Sequence, residues 1–238
     1  MSQYQHTRIK HTNAPAAFVT ESAQLLIKLI NDAIAARGRC LLGLSGGSTP
    51  GPIYTALGTS SEVQWDKVFL FLVDERYIAK EDKNANHNML LNTILKAEKP
   101  IPEANRILLN TTLPIAECVA DYGARLQKLF HEYGPADVLT LGMGPDGHIA
   151  SLFPPVVPAG FQAEPLTVNT QTEQFAVRER VSLTLPVIQA ARAHVFFFNG
   201  ADKEQIWNTM LEHSSEGATR WPALPVLEQG RTTVVFNT

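Results

Sequence analysis

Short stretches with the character of buried strands alternate with helical patterns along this 238-residue chain. The strand-like stretches are residues 40–44, 68–73, 106–109, 137–141, 194–198 and 232–236. Most of them are apolar at consecutive positions, which favours a parallel sheet covered on both faces over an antiparallel sheet with one wet face. The alternation predicts an α/β fold, Rossmann-like, in which a mainly parallel sheet carries helices on both faces.

Helical periodicity fills most of the segments between these strands. The predicted helices cover residues 15–37, 114–133 and 201–211, with shorter ones beginning at Pro50 and passing through Met89. The length and the 45% hydrophobic content are compatible with one large core, so we expect a single domain over residues 1–238. Residues 154–174 follow neither period, and we expect an irregular excursion there.

Charge and composition exclude several classes of function. A formal net charge of −3 gives no overall attraction to nucleic acid or to an anionic membrane. The first residues carry no apolar signal region, and no later stretch approaches the roughly 18 apolar residues of a membrane span. Two cysteines without C-x-x-C spacing predict neither a disulfide framework nor a metal site. We expect a cytoplasmic protein that binds a small molecule; the oligomeric state stays open, and a monomer is compatible with the sequence.

Four turns that directly follow predicted strands carry glycine or charge. They are SGGST at residues 45–49, DER at 74–76, GMGPDGH at 142–148 and NGADK at 199–203. Ligands of open parallel sheets bind outside the carboxyl ends of the strands. Because all four turns belong to that edge, we expect them to form one binding site.

The first turn supports two incompatible interpretations. Residues 43–47 match G-x-S-x-G, the sharp turn that exposes a nucleophilic serine, which would be Ser45. The same turn matches a glycine-rich anion cradle whose backbone N–H groups point at a phosphate. Ser45 follows the first strand of the predicted sheet, whereas hydrolase nucleophiles of this type follow a central strand. Ser48 and Thr49 also add hydroxyl donors beyond the glycines, so we favour the cradle.

The fourth strand is followed by a second glycine pattern, G-x-G-x-x-G at residues 142–147. This pattern is typical of dinucleotide sites when it opens a helix and an acidic residue ends the next strand. Glu164 has a suitable separation, but it lies in the irregular stretch with no clear strand before it. The sequence therefore favours a dinucleotide site only weakly, and no P-loop pattern is present.

Five segments together closely resemble the 6-phosphogluconolactonase family. They are LSGGSTP (44–50), DER (74–76), LGMGPDGHIASLFP (141–154), RVSLT (180–184) and G-x-x-K (200–203), in the family's order. Related glucosamine-6-phosphate deaminases and isomerases share the scaffold and the glycine loop but differ at the second and fourth turns. The resemblance implies hydrolysis of 6-phosphogluconolactone to 6-phosphogluconate in the pentose phosphate pathway, without a required metal or organic cofactor. One departure is Ala85-Asn86, where the family usually has Ser-Asn.

The resemblance also implies which residues bind the substrate. A sugar phosphate is dianionic near neutral pH, and backbone amides, a bidentate arginine and a lysine suit it. The expected binding residues are Ser45, Gly46, Gly47, Ser48, Thr49, Asp74, Asn86, Arg180 and Lys203. For Asp74, together with Glu75, an equally good expectation is that it fixes Arg76 and the neighbouring loop.

Opening a lactone needs a base that activates water and donors that stabilise the oxyanion. We assign the base to His148, with Asp146 as its orienting partner. Arg76 is expected to stabilise negative charge on the lactone oxygens or to order the substrate. A helix beginning at Gly147 would disfavour protonated imidazole and keep His148 available as a base. Two other functions remain open, an isomerase or deaminase of amino-sugar phosphates and a non-enzymatic sugar-phosphate sensor.

Overall fold

In the computed structural model, which describes residues 6–96 and 101–237, seven strands form a parallel sheet in the order β1-β10-β9-β6-β2-β3-β5. Its strands are β1 (Arg8–Thr12), β2 (Cys40–Leu44), β3 (Val68–Leu72), β5 (Arg106–Ile107), β6 (Val138–Leu141), β9 (His194–Asn199) and β10 (Thr232–Asn237). The three remaining strands form a small antiparallel sheet, β4 (Asp74–Arg76), β7 (Thr167–Gln171) and β8 (Glu179–Leu183). The mainly parallel α/β architecture agrees with the prediction.

The helices lie between the strands in the chain. They are α1 (Pro15–Arg37), α2 (Pro50–Gly58), α3 (Asn86–Asn92), α4 (Ile115–Tyr133), α5 (Leu185–Ala190), α6 (Ala201–Glu212), α7 (Gly217–Arg220) and α8 (Leu224–Leu227). Helix α1 ends at Gly38, whose left-handed conformation (φ 74°) allows its N–H to bond the Ile34 carbonyl. No helix among the described residues is long and apolar enough to cross a membrane.

Burial of the central strands on both faces explains their apolar sequences. Every residue of β2 is buried between β3 and β6. At its centre Gly43 leaves room for larger neighbours, since a Cβ there would lie 2.2 Å from a Leu139 side-chain atom and 2.6 Å from Phe71. A larger residue would force apart side chains on adjacent strands.

The small sheet corrects two sequence predictions. The DER segment at residues 74–76, predicted as a turn, is strand β4, which pairs antiparallel with β8. The excursion at residues 154–174 contains a 3-10 helix (Pro158–Phe161) and β7. Val73 joins the two sheets, because its N–H donates to the Leu44 carbonyl (3.0 Å) and its carbonyl accepts from the Leu183 N–H (2.9 Å).

Strand order brings the predicted binding turns together. Strands β9, β6, β2 and β3 are successive neighbours and run in the same direction. The turns that follow them therefore open on one edge of the sheet, and the small sheet continues from β3 beside that edge.

Candidate active site

One pocket lies at the carboxyl ends of these strands, and most of the predicted site residues line it. Those that do are Ser45, Gly46, Gly47, Ser48, Thr49, Asp74, Arg76, Asn86, His148, Arg180 and Lys203. Asp146 does not line the pocket, but it contacts His148. Glu164, the acidic residue of the dinucleotide hypothesis, is exposed and lies outside the pocket.

The glycine loop presents backbone donors to this pocket. No described residue accepts a hydrogen bond from the N–H groups of Gly46, Gly47 or Ser48. Gly46 lies against Asn86, and a Cβ at this glycine would fall 1.8 Å from the Asn86 Oδ1. Gly47 has φ 105°, a conformation that favours glycine. The loop can therefore offer free amides to an anion beside the N-terminus of α2.

Ser45 itself is held inside the fold. Its N–H donates to Thr140 Oγ1 (2.9 Å), and its own Oγ lies 3.3 Å from Thr140 Oγ1 and 3.5 Å from the Tyr54 hydroxyl oxygen. Burial raises the pKa of Tyr54 to about 12, so this phenol stays protonated near neutral pH. Among the described residues the Ser45 hydroxyl therefore has hydroxyl neighbours and no base beside it, which disfavours the nucleophile interpretation.

Two arginines stand directly opposite one another in the small sheet. Arg76 of β4 pairs with Arg180 of β8 in the antiparallel register. Like charges at such positions repel, and they are usually avoided. Burial and the neighbouring Arg76 lower the pKa of Arg180 below its ordinary value. The pair thus concentrates positive charge at the pocket wall.

Backbone carbonyls hold the three cations of the pocket. Arg180 Nε donates to the Val177 carbonyl (2.9 Å), Lys203 Nζ donates to the Met143 carbonyl (2.7 Å), and an Arg76 guanidinium nitrogen donates to the Asn84 carbonyl. Burial lowers the pKa of Lys203. Within residues 6–96 and 101–237, no carboxylate forms an ion pair with any of the three. Their positive charge remains available to a ligand.

His148 sits in a tight turn that follows β6. The turn is closed by bonds from the Gly144 N–H to the His148 carbonyl (2.9 Å) and from the Gly147 N–H to the Gly144 carbonyl (3.0 Å). No helix begins at Gly147, because the chain turns back and Ile149 forms an isolated bridge with Met143. The predicted helix dipole is wrong, and the G-x-G-x-x-G pattern lacks the helix that a dinucleotide site requires.

Asp146 contacts the His148 ring. The Nδ1 atom of His148 lies 2.5 Å from Asp146 Oδ1. Burial favours a raised pKa for Asp146, but the hydrogen bond to His148 and its charge outweigh burial and lower that pKa. If neutral His148 carries its proton on Nδ1, its Nε2 is left as an acceptor, which is the form that a general base needs.

The last residue of α7, Arg220, and the next residue, Trp221, support this turn, and their contribution was not predicted from the sequence. Arg220 donates from Nη1 to the Asp146 carbonyl (2.6 Å), and its guanidinium lies 3.7 Å above the Trp221 ring. Trp221 packs against Gly147, where a Cβ would fall 2.6 Å from the indole. Gly147 also has φ 89°. A glycine is therefore required at this position both by the backbone and by the neighbouring ring.

Glu75 ties β4 to α3. Its carboxylate accepts the backbone N–H groups of Arg76, Asn86 and His87, each at 2.7 Å. Burial raises the pKa of Glu75 to about 7, although the three N–H donors favour its charged form. Glu75 accepts hydrogen bonds from the first backbone N–H groups of α3. A capping side chain at position 85, which precedes this helix, would also bind N–H groups of the first turn. The family's usual serine at this position is therefore not needed as a cap.

Asp74 is held by a residue that the sequence reasoning missed. Ser151 is fully buried and donates from Oγ to Asp74 Oδ2 (2.6 Å). The Ser151 carbonyl accepts from Thr170 Oγ1 (2.7 Å) on β7. Asn86 Nδ2 donates to the Asp74 carbonyl (2.9 Å). The IASLF segment of the third motif, LGMGPDGHIASLFP (141–154), is the sequence signal that could have identified Ser151.

Comparisons with known proteins agree on one family. The model of the family described as "Glucosamine-6-phosphate isomerases/6-phosphogluconolactonase" matches residues 13–235. The "Probable 6-phosphogluconolactonase" of Dictyostelium discoideum is 37% identical over 221 residues, which cover 92% of this chain and 93% of that protein. The human "6-phosphogluconolactonase" is 34% identical over 190 residues, covering 76% and 72%.

Solved structures show the same fold. The "6-phosphogluconolactonase from Plasmodium vivax" superposes with a TM-score of 0.88 at 25% identity, over 98% of this chain and 91% of that one. A 6-phosphogluconolactonase from Shewanella baltica superposes with a TM-score of 0.84 at 26% identity, over 97% of each chain.

Proposed function

This chain belongs to the family of glucosamine-6-phosphate isomerases and 6-phosphogluconolactonases, and we propose that it hydrolyses 6-phosphogluconolactone to 6-phosphogluconate in the pentose phosphate pathway. The observation that carries the proposal is that one pocket holds three cations beside a His–Asp pair. Among the described residues, no carboxylate forms an ion pair with any of these cations. Such a pocket suits an anionic substrate that is attacked by water. The names of the relatives point to the same reaction.

The 6-phosphate is held by the glycine loop together with Arg180 and Lys203. The unpaired amides of residues 46–48 supply directional donors, and the two cations supply charge. A phosphate dianion here would also relieve the repulsion between Arg180 and Arg76. Ser45 shapes the loop through its bonds to Thr140, and because its own N–H donates to Thr140 Oγ1, that N–H does not bind the phosphate.

His148 activates the attacking water. Its Nε2 takes a proton from water as the water oxygen bonds to the lactone carbonyl carbon, while Asp146 holds Nδ1. The bond from that carbon to the ring oxygen then breaks, and His148 returns the proton to the departing oxygen, which becomes a hydroxyl. The acid that forms ionises and releases one proton to solvent, so acid release reports each turnover.

Arg76 stabilises the negative charge that develops on the carbonyl oxygen. Arg76 lines the pocket, and no carboxylate among the described residues forms an ion pair with it. Glu75 accepts the backbone N–H of Arg76, and the Asn84 carbonyl accepts from one of its guanidinium nitrogens. A fixed donor of this kind lowers the barrier because it needs no reorganisation when the charge appears.

Acid release from freshly prepared 6-phosphogluconolactone tests the proposal, with the uncatalysed rate subtracted. We expect wild-type protein to accelerate acid release and His148→Ala to lower kcat by about 10²–10⁴-fold. His87→Ala is the matched control, because His87 is half-buried near the site but does not line the pocket. Full activity of His148→Ala would remove the assigned base. Ammonia release from glucosamine 6-phosphate, without lactone hydrolysis, would overturn the proposed reaction.

A further inference from the structure

The turn between β7 and β8 brings an aromatic ring into the pocket. Phe175 lies in this turn, residues 172–178, and lines the pocket while remaining partly exposed. The turn is closed by a bond from the Thr172 N–H to the Arg178 carbonyl (3.2 Å). Arg180 anchors it to β8, because its Nε donates to the Val177 carbonyl. Phe175 is therefore held over the site by a connected piece of the small sheet.

The His148 ring needs support beyond its hydrogen bond. Asp146 is its one ring hydrogen-bond partner among the described residues. One bond at Nδ1 fixes that atom but leaves the ring free to swing about it. Two aromatic rings block this movement: the Phe153 centroid lies 4.6 Å from the His148 centroid, and the Phe175 centroid lies 5.4 Å away with the rings nearly perpendicular (79°).

The two phenylalanines differ in where they stand. Their centroids are 5.9 Å apart, so each also limits the movement of the other. Phe175 lines the pocket, whereas Phe153 does not. The Arg180 guanidinium lies close to both rings, 6.0 Å from the Phe175 ring centre and 5.9 Å from the Phe153 ring centre, so the position of Phe175 in the pocket lining is what distinguishes the two. Phe175 thus contacts the imidazole from the side on which the substrate binds.

We propose that Phe175 is a positioning residue that holds the His148 imidazole with Nε2 facing the substrate carbonyl, a role that rests on the proposed function. Perpendicular aromatic contacts favour one ring orientation. The rate of a step that depends on an aligned base falls steeply when the base moves by about 1 Å. Phe175 acts through His148, so its removal reduces the rate of the chemical step more than the affinity for the sugar phosphate.

Steady-state kinetics of Phe175 variants test this role. We expect Phe175→Ala to lower kcat by about 10- to 100-fold and to change KM by less than about threefold. Phe175→Tyr keeps the ring and is expected to retain kcat within about threefold. Phe69→Ala is the matched control, because Phe69 is also partly buried and packs against an aromatic ring, that of Tyr133, but lies outside the pocket. Its kcat is expected to stay unchanged.

A double-mutant cycle separates positioning from general support of the fold. In a His148→Ala background at high protein concentration, Phe175→Ala is expected to change the remaining rate by less than about twofold, since the group it positions is gone. An equal fold-loss in both backgrounds, or an unchanged kcat in Phe175→Ala alone, would overturn the role of Phe175. A wild-type protein without lactonase activity would instead overturn the proposed function. If Phe175→Ala fails to fold, Phe175→Leu takes its place in the cycle.

Discussion

Replacing Arg180 by methionine is expected to stabilise the free protein and weaken its binding of phosphate. Arg180 is 6% exposed, faces Arg76 across the small sheet, and has no carboxylate partner within the described part of the chain. Its desolvation and the repulsion from Arg76 oppose folding, as the lowered pKa of Arg180 indicates. Methionine keeps a similar length without the charge.

The size of each effect follows from these contacts. Removing a like-charge cross-strand pair contributes about 0.2–1 kcal/mol. Relief of the buried charge adds to this, while loss of the bond to the Val177 carbonyl subtracts from it. We expect a net gain of about 1 kcal/mol, or roughly 2–4 °C in Tm for a domain of this size. Loss of the hydrogen bonds to a phosphate dianion costs about 1.5–3 kcal/mol, which raises Kd by roughly 10- to 150-fold.

Thermal unfolding with and without 6-phosphogluconate measures both effects in one assay, because a bound ligand raises Tm according to its Kd. Arg178→Met is the control, since Arg178 is exposed and pairs with Glu173 at the surface. It is expected to change neither quantity appreciably. A lower Tm for free Arg180→Met together with unchanged product affinity would refute the argument that Arg180 is held at a cost for anion binding.

Two further predictions concern other parts of the fold. His194 is buried, its Nε2 lies 2.7 Å from the Ile188 carbonyl, and burial lowers its pKa to about 4. Neutral His194 therefore contributes its full share of the folding free energy above about pH 6.5, and this contribution is lost as the pH falls towards 4. The change over that range is about 3 kcal/mol. We expect urea unfolding to show that the free energy of unfolding depends less on pH in His194→Gln than in wild type. Ala85→Ser is expected to alter kcat by less than about twofold and the free energy of unfolding by less than about 0.5 kcal/mol. The reason is that Glu75 already binds the first backbone N–H groups of α3. A larger gain in acid release or in Tm would contradict this prediction.

The parallel sheet could be predicted because its signals are local. Strands β2, β3 and β9 are each apolar along a few consecutive residues, and the parallel arrangement then places the turns after them at one edge. Most of the predicted site residues lie in the turns after β2, β3, β6 and β9, whereas Asn86 and Arg180 were predicted through the family resemblance. Their roles remain predictions, since geometry does not measure catalysis.

The small sheet could not be predicted because its signals are not local. Strand β4 is charged, and its carboxylates are bound by residues from other segments: Ser151 binds Asp74, and the N–H groups of Asn86 and His87 bind Glu75. Strand β1 was missed for another reason: it is polar and mostly exposed at the edge of the sheet. The opposition of Arg76 to Arg180 follows from the register of β4 with β8, which neither segment encodes by itself.

The separation of charges in the pocket connects these observations. Neutral carbonyls bind Arg76, Arg180 and Lys203, while Glu75 binds backbone amides. Had the carboxylates paired with the cations instead, the pocket would be neutral and an anion would have to displace them. Carbonyl dipoles orient the cations without cancelling their charge. A chain of net charge −3 thereby keeps a positive pocket, and the association rate of a phosphorylated substrate should fall as salt screens that charge.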